Sequence, residues 1–545
     1  MSENPGRGRV GPHRSAIPMS QHSSNNAPIA LWLASPFLAV LASFALPADS
    51  APTGSQDPEP IHLVVLHTND IHGQALPRKS TVGEGREVES GGLERVAEYV
   101  ATVRSEHTGP NRGLLVVDGG DWWQGTPEGA LEGGLPFVKA LGAVGYDALA
   151  IGNHEFDLGV EPLERMLEEV GLPAVMSNVL DAPEGEPVDW VEPFRVVETG
   201  GLRVALVGFI STDTPFITHR DSRRLAFVNE AEALERVLEE LPAEVDLVVP
   251  LTHSGTDADR RLAEAHPELE LIVGGHSHTF LRTGMRVGDT LIVQSGAKAA
   301  TVGRVDLWID PESGAVVDKT ARLIELDRAL PDERANGEVA ERVAALAEAS
   351  EAALGRPLGV LAGPLIEAER FRSSSVGNWI ADSFRTGVES DVAIHNRGGI
   401  RKRLQPGTLT RRDLFELLPF PNTLVRIDLT GAELEACVRG ALVGRETTRL
   451  EVSGMQLSLI LDDEGRVAEV EVSVDGAPID AERTYGVATN SYLAEGGDRL
   501  FDLPREPEKL DTGILLRDLL ERDLLEADGP FEPAADDRYA VRRGR

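Results

Sequence analysis

Short apolar runs and stretches of helical period alternate from residue 61 to about residue 280. IHLVVLHT (61–68), LLVVDGG (114–120), DALAIGN (147–153), RVALVGF (203–209), DLVVPLTH (246–253) and LELIVGGH (269–276) are too short and too evenly apolar for surface helices, and they predict buried strands. Between them GGLERVAEYVATVRS (91–105), PFVKALGAVG (136–145), LERMLEEV (163–170) and AEALERVLEELP (231–242) repeat apolar positions every three to four residues, which predicts amphipathic helices. Such alternation predicts an α/β domain whose sheets are covered by helices. Residues Thr290 to Ile309 read as returning strands that close it. From Asn336 to Ala353 the chain is Ala/Glu-rich with helical spacing and stops at Gly355 and Pro357, a connector helix. A second region, from 357 to about 525, mixes helices (SVGNWIADSFR, GAELEACVRGAL) with short strands and reads as a smaller α+β domain.

The expected segments are a signal peptide (1–51), a spacer (52–60), the first domain (61–335), the linker helix (336–356), the second domain (357–525) and a C-terminal tail (526–545). The signal rests on order: Arg7, Arg9, His13 and Arg14 precede an apolar run from Ile29 to Leu46, followed by the small residues Ala48 to Ala51. Met19 is an alternative start. Export to the periplasm or the extracellular space follows, with no stable membrane span after processing. A length of 545 residues asks for more than one core, and 41% hydrophobic with 26% charged residues is globular composition. The formal charge of −36 argues against a nucleic-acid polymer as partner but not against a small anion, for which bound metal supplies local positive charge. The single cysteine, Cys437, excludes an intramolecular disulfide and a CxxC metal site.

The polar residues cluster where the strands end. Asn69-Asp70-Ile71-His72, Gly119-Gly120-Asp121, Gly152-Asn153-His154-Glu155, Thr252-His253 and Gly274-Gly275-His276-Ser277-His278 each follow or finish an apolar run. Carboxyl ends of parallel strands share an edge, where open α/β folds place their sites. A lone Asp-x-His is most often a turn, and His67, Asp118, Trp122 and Trp123 read as orienting or packing residues. Repetition at five strand ends is a different matter. Mixed carboxylate, imidazole and amide donors suit zinc, manganese or similar ions. They are too many for one tetrahedral ion and suit two divalent ions about 3.5–4 Å apart sharing a carboxylate, for which Asp121 is the candidate.

DIHG, GGD, GNHEFD, the later TH and GGHSH resemble the ordered motifs of calcineurin-like metallophosphoesterases. RFRSSSVGNWIADSF, HNRGGIR, LFELLPFPNTL and ATNSYLAEGGDRLF are similar to the C-terminal domain of the 5′-nucleotidase family, which includes bacterial UDP-sugar hydrolases. The resemblance implies a four-layer α/β/β/α first domain followed by a nucleotide-binding second domain that rotates about the linker. It implies one metal on Asp70, His72, Asp121 and His278, and another on Asp121, Asn153, His253 and His276. His154 would be the catalytic histidine, oriented by Asp157. Arg370, Asn396, Arg401, Phe420, Tyr492 and Asp498 would bind the nucleotide, the two rings holding the base. Two positions depart from the usual pattern: Arg397 stands where glycine is common, and Tyr492 replaces a phenylalanine. The implied activity is release of phosphate from nucleoside 5′-monophosphates, with di- and triphosphates and UDP-sugars as further substrates, by attack of metal-activated water. The alternatives are a 2′,3′-cyclic-nucleotide phosphodiesterase/3′-nucleotidase and a catalytically silent nucleotide-binding surface protein.

Overall fold

The computed structural model describes residues 59–543 apart from 83–85, 183–184, 327–336, 502, 504 and 506. The expected signal peptide and most of the spacer lie outside the described residues. Twelve strands of the first domain, in chain order, form two sheets. They are β1 (Ile61–Thr68), β2 (Arg112–Asp118), β3 (Ala148–Ala150), β4 (Ala174–Val175), β5 (Phe194–Thr199) and β6 (Leu202–Ile210). They continue with β7 (Leu247–His253), β8 (Leu271–Val273), β9 (Met285–Val287), β10 (Thr290–Val293), β11 (Thr301–Ile309) and β12 (Val316–Glu325). The first sheet has the order β12-β11-β1-β2-β3-β4 and the second β9-β10-β8-β7-β6-β5.

Alternation along single strands explains the layering. In β1, Leu63 and Val65 face the second sheet and join Leu115, Val117, Val204, Leu206, Val249 and Leu251 in a core between the sheets. Val64 and Leu66 point the other way, into a core shared with helices Leu93–Glu106, Leu135–Gly142 and Val160–Val170. On the far side Ala205, Val207 and Phe209 pack against helices Glu230–Glu240 and Thr256–Ala265. The result is the four-layer α/β/β/α arrangement. Because both faces of each central strand are buried, the strands read as continuous apolar runs; each fully buried Leu or Val contributes about 1.5–3 kcal/mol.

β1, β2 and β3 run parallel, as do β6, β7 and β8, so their carboxyl ends gather at one rim. At one side the two sheets approach so closely that a Cβ added to Gly208 would lie 2.0 Å from the Val175 carbonyl oxygen. Helix Gly337–Leu354 packs through Val339, Val343 and Leu346 into the core of the first domain, so the linker is part of that domain's packing rather than a free hinge.

The second domain centres on a five-stranded sheet that includes Val392–Asn396, Thr423–Thr430 and Thr484–Asn490, beside a four-stranded sheet. One expectation is corrected here. Residues 526–543 are not a tail: Tyr539–Arg543 is a strand paired in parallel with Met455–Leu461, and Tyr539 is buried with Leu457 and Leu459. Only Tyr539 of the five strand residues is buried, Ala540 and Val541 being exposed like the two arginines, so residue type does not mark the core-facing side, and the strand's backbone partners lie some eighty residues earlier. Gly208→Ala is expected to destabilise the first domain by about 2–3 kcal/mol through overpacking between the sheets, measured as a lowered urea midpoint with unchanged slope.

Candidate active site

Asp70 and His72 follow β1, Asp121 follows β2, Asn153 and His154 follow β3, His253 ends β7, and His276 and His278 follow β8. The sites therefore come from two facing sheets, and they converge. Ligand atoms of Asp70, His72 and His278 lie within 4.8 Å of one another, as do those of Asp121, His253 and His276 and those of His72, Asp121 and His154. The Asp121 carboxylate joins the groups: Oδ2 is 3.1 Å from His253 Nε2 and 3.9 Å from His72 Nε2. Its Oδ1 accepts from the His154 amide at 2.9 Å. Asn153 Oδ1 lies 3.0 Å from His276 Nδ1.

The donor set fits cations. His253 Nδ1 faces the Gly119 carbonyl at 2.8 Å and so carries a hydrogen, which turns Nε2 toward the Asp121 carboxylate. Nε2 itself has no hydrogen-bond partner in spite of being fully buried. His72 Nδ1 faces the Gln124 carbonyl at 3.3 Å, which aims its Nε2 at His278 Nε2, 3.0 Å away. Two carboxylates and the facing imidazole nitrogens packed this closely need positive charge among them, from a proton or a cation. Nitrogens held about 2.0–2.1 Å from a shared ion stand at a comparable separation.

Electrostatics point the same way. Burial drives His72 well below the ordinary imidazole range, and burial together with His253 lowers His276 to about 4. Burial alone would lower His253 too, but the Asp121 charge outweighs it and pushes the group up to about 10. Burial would raise Asp121, yet His253 and His154 hold it well below the usual carboxylate range. The cleft is built to hold positive charge beside Asp121.

The backbone is strained to achieve this. Asp70 (φ 50°), His72 (52°), Asp121 (54°), His276 (73°) and His278 (53°) all occupy the left-handed region. Each such non-glycine residue costs about 1–3 kcal/mol and persists only where its surroundings over-determine it. Much of that support comes from Glu155, a buried carboxyl that accepts from the amides of Asp121 (3.0 Å), Trp123 (2.9 Å) and Gly152 (2.6 Å). Gly152 has no room for a side chain, since a Cβ would sit 2.2 Å from Asp121 Oδ1. Asn69 steadies the other wall, donating to Asp70 Oδ2 at 2.6 Å and accepting from the Ser295 amide at 2.7 Å.

His154 lies at the edge of the cluster with its Nδ1 2.7 Å from Asp157 Oδ2. Burial alone would lower its pKa, but Asp157 and Asp121 together raise it.

A family profile described as calcineurin-like phosphoesterase matches residues 63–280, and one described as 5′-nucleotidase, C-terminal domain, matches residues 357–504. The chain belongs to the 5′-nucleotidase family. It is a metal-dependent phosphoric ester hydrolase. A mouse 5′-nucleotidase is 29% identical over 500 residues, covering 83% of this chain and 86% of its own. A 5′-nucleotidase of Vibrio cholerae is 26% identical over 558 residues, covering 92% and 98%. The crystal structure of a 5′-nucleotidase precursor from Thermus thermophilus superposes with a TM-score of 0.75 at 28% identity, covering 88% of this chain and 99% of that one.

The second domain brings some of the enzyme's expected nucleotide residues to the cleft. The Phe420 ring lies parallel to His154, with 5.5 Å between centroids and 8° between planes. The Arg401 guanidinium sits 5.7 Å from the Phe420 ring. Burial lowers its pKa, against the opposing pull of Asp121, Asp157 and Asp70 in the first domain. The Tyr492 hydroxyl shares its one hydrogen between two acceptors, Asp498 Oδ1 at 3.0 Å and the Phe216 carbonyl of the first domain at 3.3 Å. Asn396 Oδ1 accepts from Asn490 at 3.1 Å. Arg370 is exposed and donates to the carbonyls of Glu446 and Gly465. Arg397 turns inward to the buried Glu451, at 2.9 Å, and donates to the carbonyls of Glu369, Arg372 and Thr448. It thereby ties the 369–374 segment to the turn that leads to Arg401.

Residue type alone gives Glu155, Gln124 and Thr218 no functional mark. Glu155 lies within the GNHEFD motif, whereas Gln124 and Thr218 reach Asp157 from loops with no chemical signature (Gln124 Nε2 at 2.9 Å from Oδ2, Thr218 Oγ1 at 3.1 Å from Oδ1). His67 and Asp118 are structural: His67 packs against Gly303, and Asp118 accepts from Thr68 and the Gly120 amide. Chelation of the metal-loaded enzyme is expected to remove about 2.7 kcal/mol of stability for each site held at a hundredfold its dissociation constant. The check is a melting curve with and without chelator, and a curve insensitive to both chelator and added Mn²⁺ or Zn²⁺ would count against cations in the cleft.

Proposed function

We propose that this chain is an exported two-metal phosphohydrolase that releases phosphate from nucleotides, with nucleoside 5′-monophosphates as first substrates and di- or triphosphates and UDP-sugars within reach. The observation that carries the reading is the meeting of the two domains: Phe420 stacked on His154, and Arg401 electrostatically coupled to the acids of the metal cleft. A flat base and a phosphate joined in one molecule suit a cleft with an aromatic wall on one side and a cation-binding floor on the other.

In this reading Asp70, His72, Asp121 and His278 hold one ion, and Asp121, Asn153, His253 and His276 the other. Two divalent cations, when bound, would supply Lewis-acid charge that makes an attacking water acidic and offsets charge on the phosphoryl oxygens. Arg401 donates to phosphate oxygens from the opposite wall. His154 has its Nδ1 committed to Asp157, so its Nε2 is the atom free to give a proton to the departing ribose oxygen. Phe420 and Tyr492 take the base, and Asp498 the ribose hydroxyls, once its bond to Tyr492 opens. Intact donor groups speak against a catalytically silent binding protein. The support for export is the charged, apolar and small-residue order of residues 7–51, and among the described residues no helix is long and apolar enough to cross a membrane.

The test is phosphate release from AMP, ATP, UDP-glucose and 2′,3′-cyclic AMP with Mn²⁺ or Zn²⁺. AMP is expected to be turned over fastest; exclusive turnover of the cyclic diester would favour a phosphodiesterase instead. His154→Asn is expected to lower kcat about 10²–10⁴-fold, the usual contribution of a positioned acid or base, while elemental analysis finds metal content unchanged. Loss of both metals from that variant would make His154 a ligand instead.

A further inference from the structure

Asp157 accepts from more than the catalytic imidazole. Its Oδ2 receives both His154 Nδ1 (2.7 Å) and Gln124 Nε2 (2.9 Å), while among the described residues Oδ1 receives only Thr218 Oγ1 (3.1 Å). Turning the carboxylate about its Cβ–Cγ axis would move both oxygens, so the Thr218 hydroxyl on Oδ1 adds a second point of restraint to the two donors on Oδ2 and helps to fix the His154 ring that Oδ2 holds. Thr218 is buried, and its hydroxyl makes no other hydrogen bond among the described residues.

The other side of the same segment is gripped by the second domain. The Phe216 carbonyl accepts from the Tyr492 hydroxyl at 3.3 Å, and the Phe216 ring lies 4.2 Å beneath the Arg499 guanidinium. Asp213 is 3.6 Å from Arg499, and Arg220 is 3.0 Å from Glu495. All these partners belong to the turn 492–499, which also carries Tyr492 and Asp498. A single short segment of the first domain, residues 213–220, therefore touches the Asp157 carboxylate on one side and the base- and ribose-facing turn on the other.

We infer that Thr218 is a positioning residue for the His154–Asp157 pair, and that segment 213–220 couples the orientation of that pair to the seating of turn 492–499. The inference rests on the nucleotidase reading above, in which His154 acts on the leaving oxygen. It gives the second domain a part in the chemistry as well as in recognition: when turn 492–499 is seated, Thr218 is held against Asp157, and the ring of His154 is aimed. Exposed ion pairs such as Arg220–Glu495 carry little energy alone, so the coupling resides mainly in the Phe216–Arg499 stack and the Tyr492 hydrogen bond.

The test compares two esters. AMP leaves as a poorly departing alkoxide that needs a proton, whereas p-nitrophenyl phosphate leaves as a stable phenolate that does not. Thr218→Val is expected to lower kcat for AMP about tenfold, the scale of a small misplacement of a reacting group, with KM changed by less than about twofold. The loss on p-nitrophenyl phosphate is expected to be under about threefold, and Thr218→Ser is expected to recover most of the AMP activity, since it returns the hydroxyl. Arg499→Ala is expected to act through the same path, so its effect and that of Thr218→Val should not multiply in the double variant. Equal losses on both esters, a serine variant no better than the valine one, or fully multiplicative effects would each overturn the inference while leaving the nucleotidase reading intact. A metal-loaded wild type inert toward both esters would overturn that reading, and this inference with it.

Discussion

The Asp121 carboxylate, buried between imidazoles from opposite sheets, is the constraint around which the first domain is arranged. A buried carboxylate is costly unless compensated, and here compensation is drawn from His253, from the His154 amide and from the loop that Glu155 holds in place. The left-handed backbone at Asp70, His72, Asp121, His276 and His278 is the cost of turning three short loops so that their donors face inward. Close glycines permit that approach, and bound cations would turn mutual repulsion among the donors into cohesion.

The two-sheet sandwich makes such a site possible. Parallel strands deliver their loops to one rim, and because the sheets face each other, donors from the β1–β3 side meet donors from β7 and β8 across the gap. A single sheet would line its ligands along an edge. Two sheets enclose them. The second domain then closes the remaining side with Phe420 and Arg401, so that the cation-binding floor and an aromatic wall face each other without either domain supplying both.

The second domain shows how a local change can be absorbed. Arginine at 397, where glycine is common, does not enter the cleft. It neutralises the buried Glu451 and caps three carbonyls, and so it stiffens the turn that ends in Arg401. Arg370 in turn commits donors to the neighbouring carbonyls of Glu446 and Gly465.

Periodicity and strand-end chemistry in the sequence were enough to read the α/β layers, the strands β1, β2, β3, β6, β7 and β8 and the gathering of acids, amides and histidines, because buried strands and metal donors leave a local signature in residue type. That signature does not say which sheet a strand joins, so the division of the donors between two facing sheets came only with the tertiary structure. It also misses residues whose work depends on partners far along the chain. Thr218 and Gln124 converge on Asp157 from unmarked loops, and Tyr539 enters the core of a strand otherwise made of exposed residues. Hydrogen bonds and strand pairings of that kind are set by distance in space, which a chain of residue types records only after it has folded.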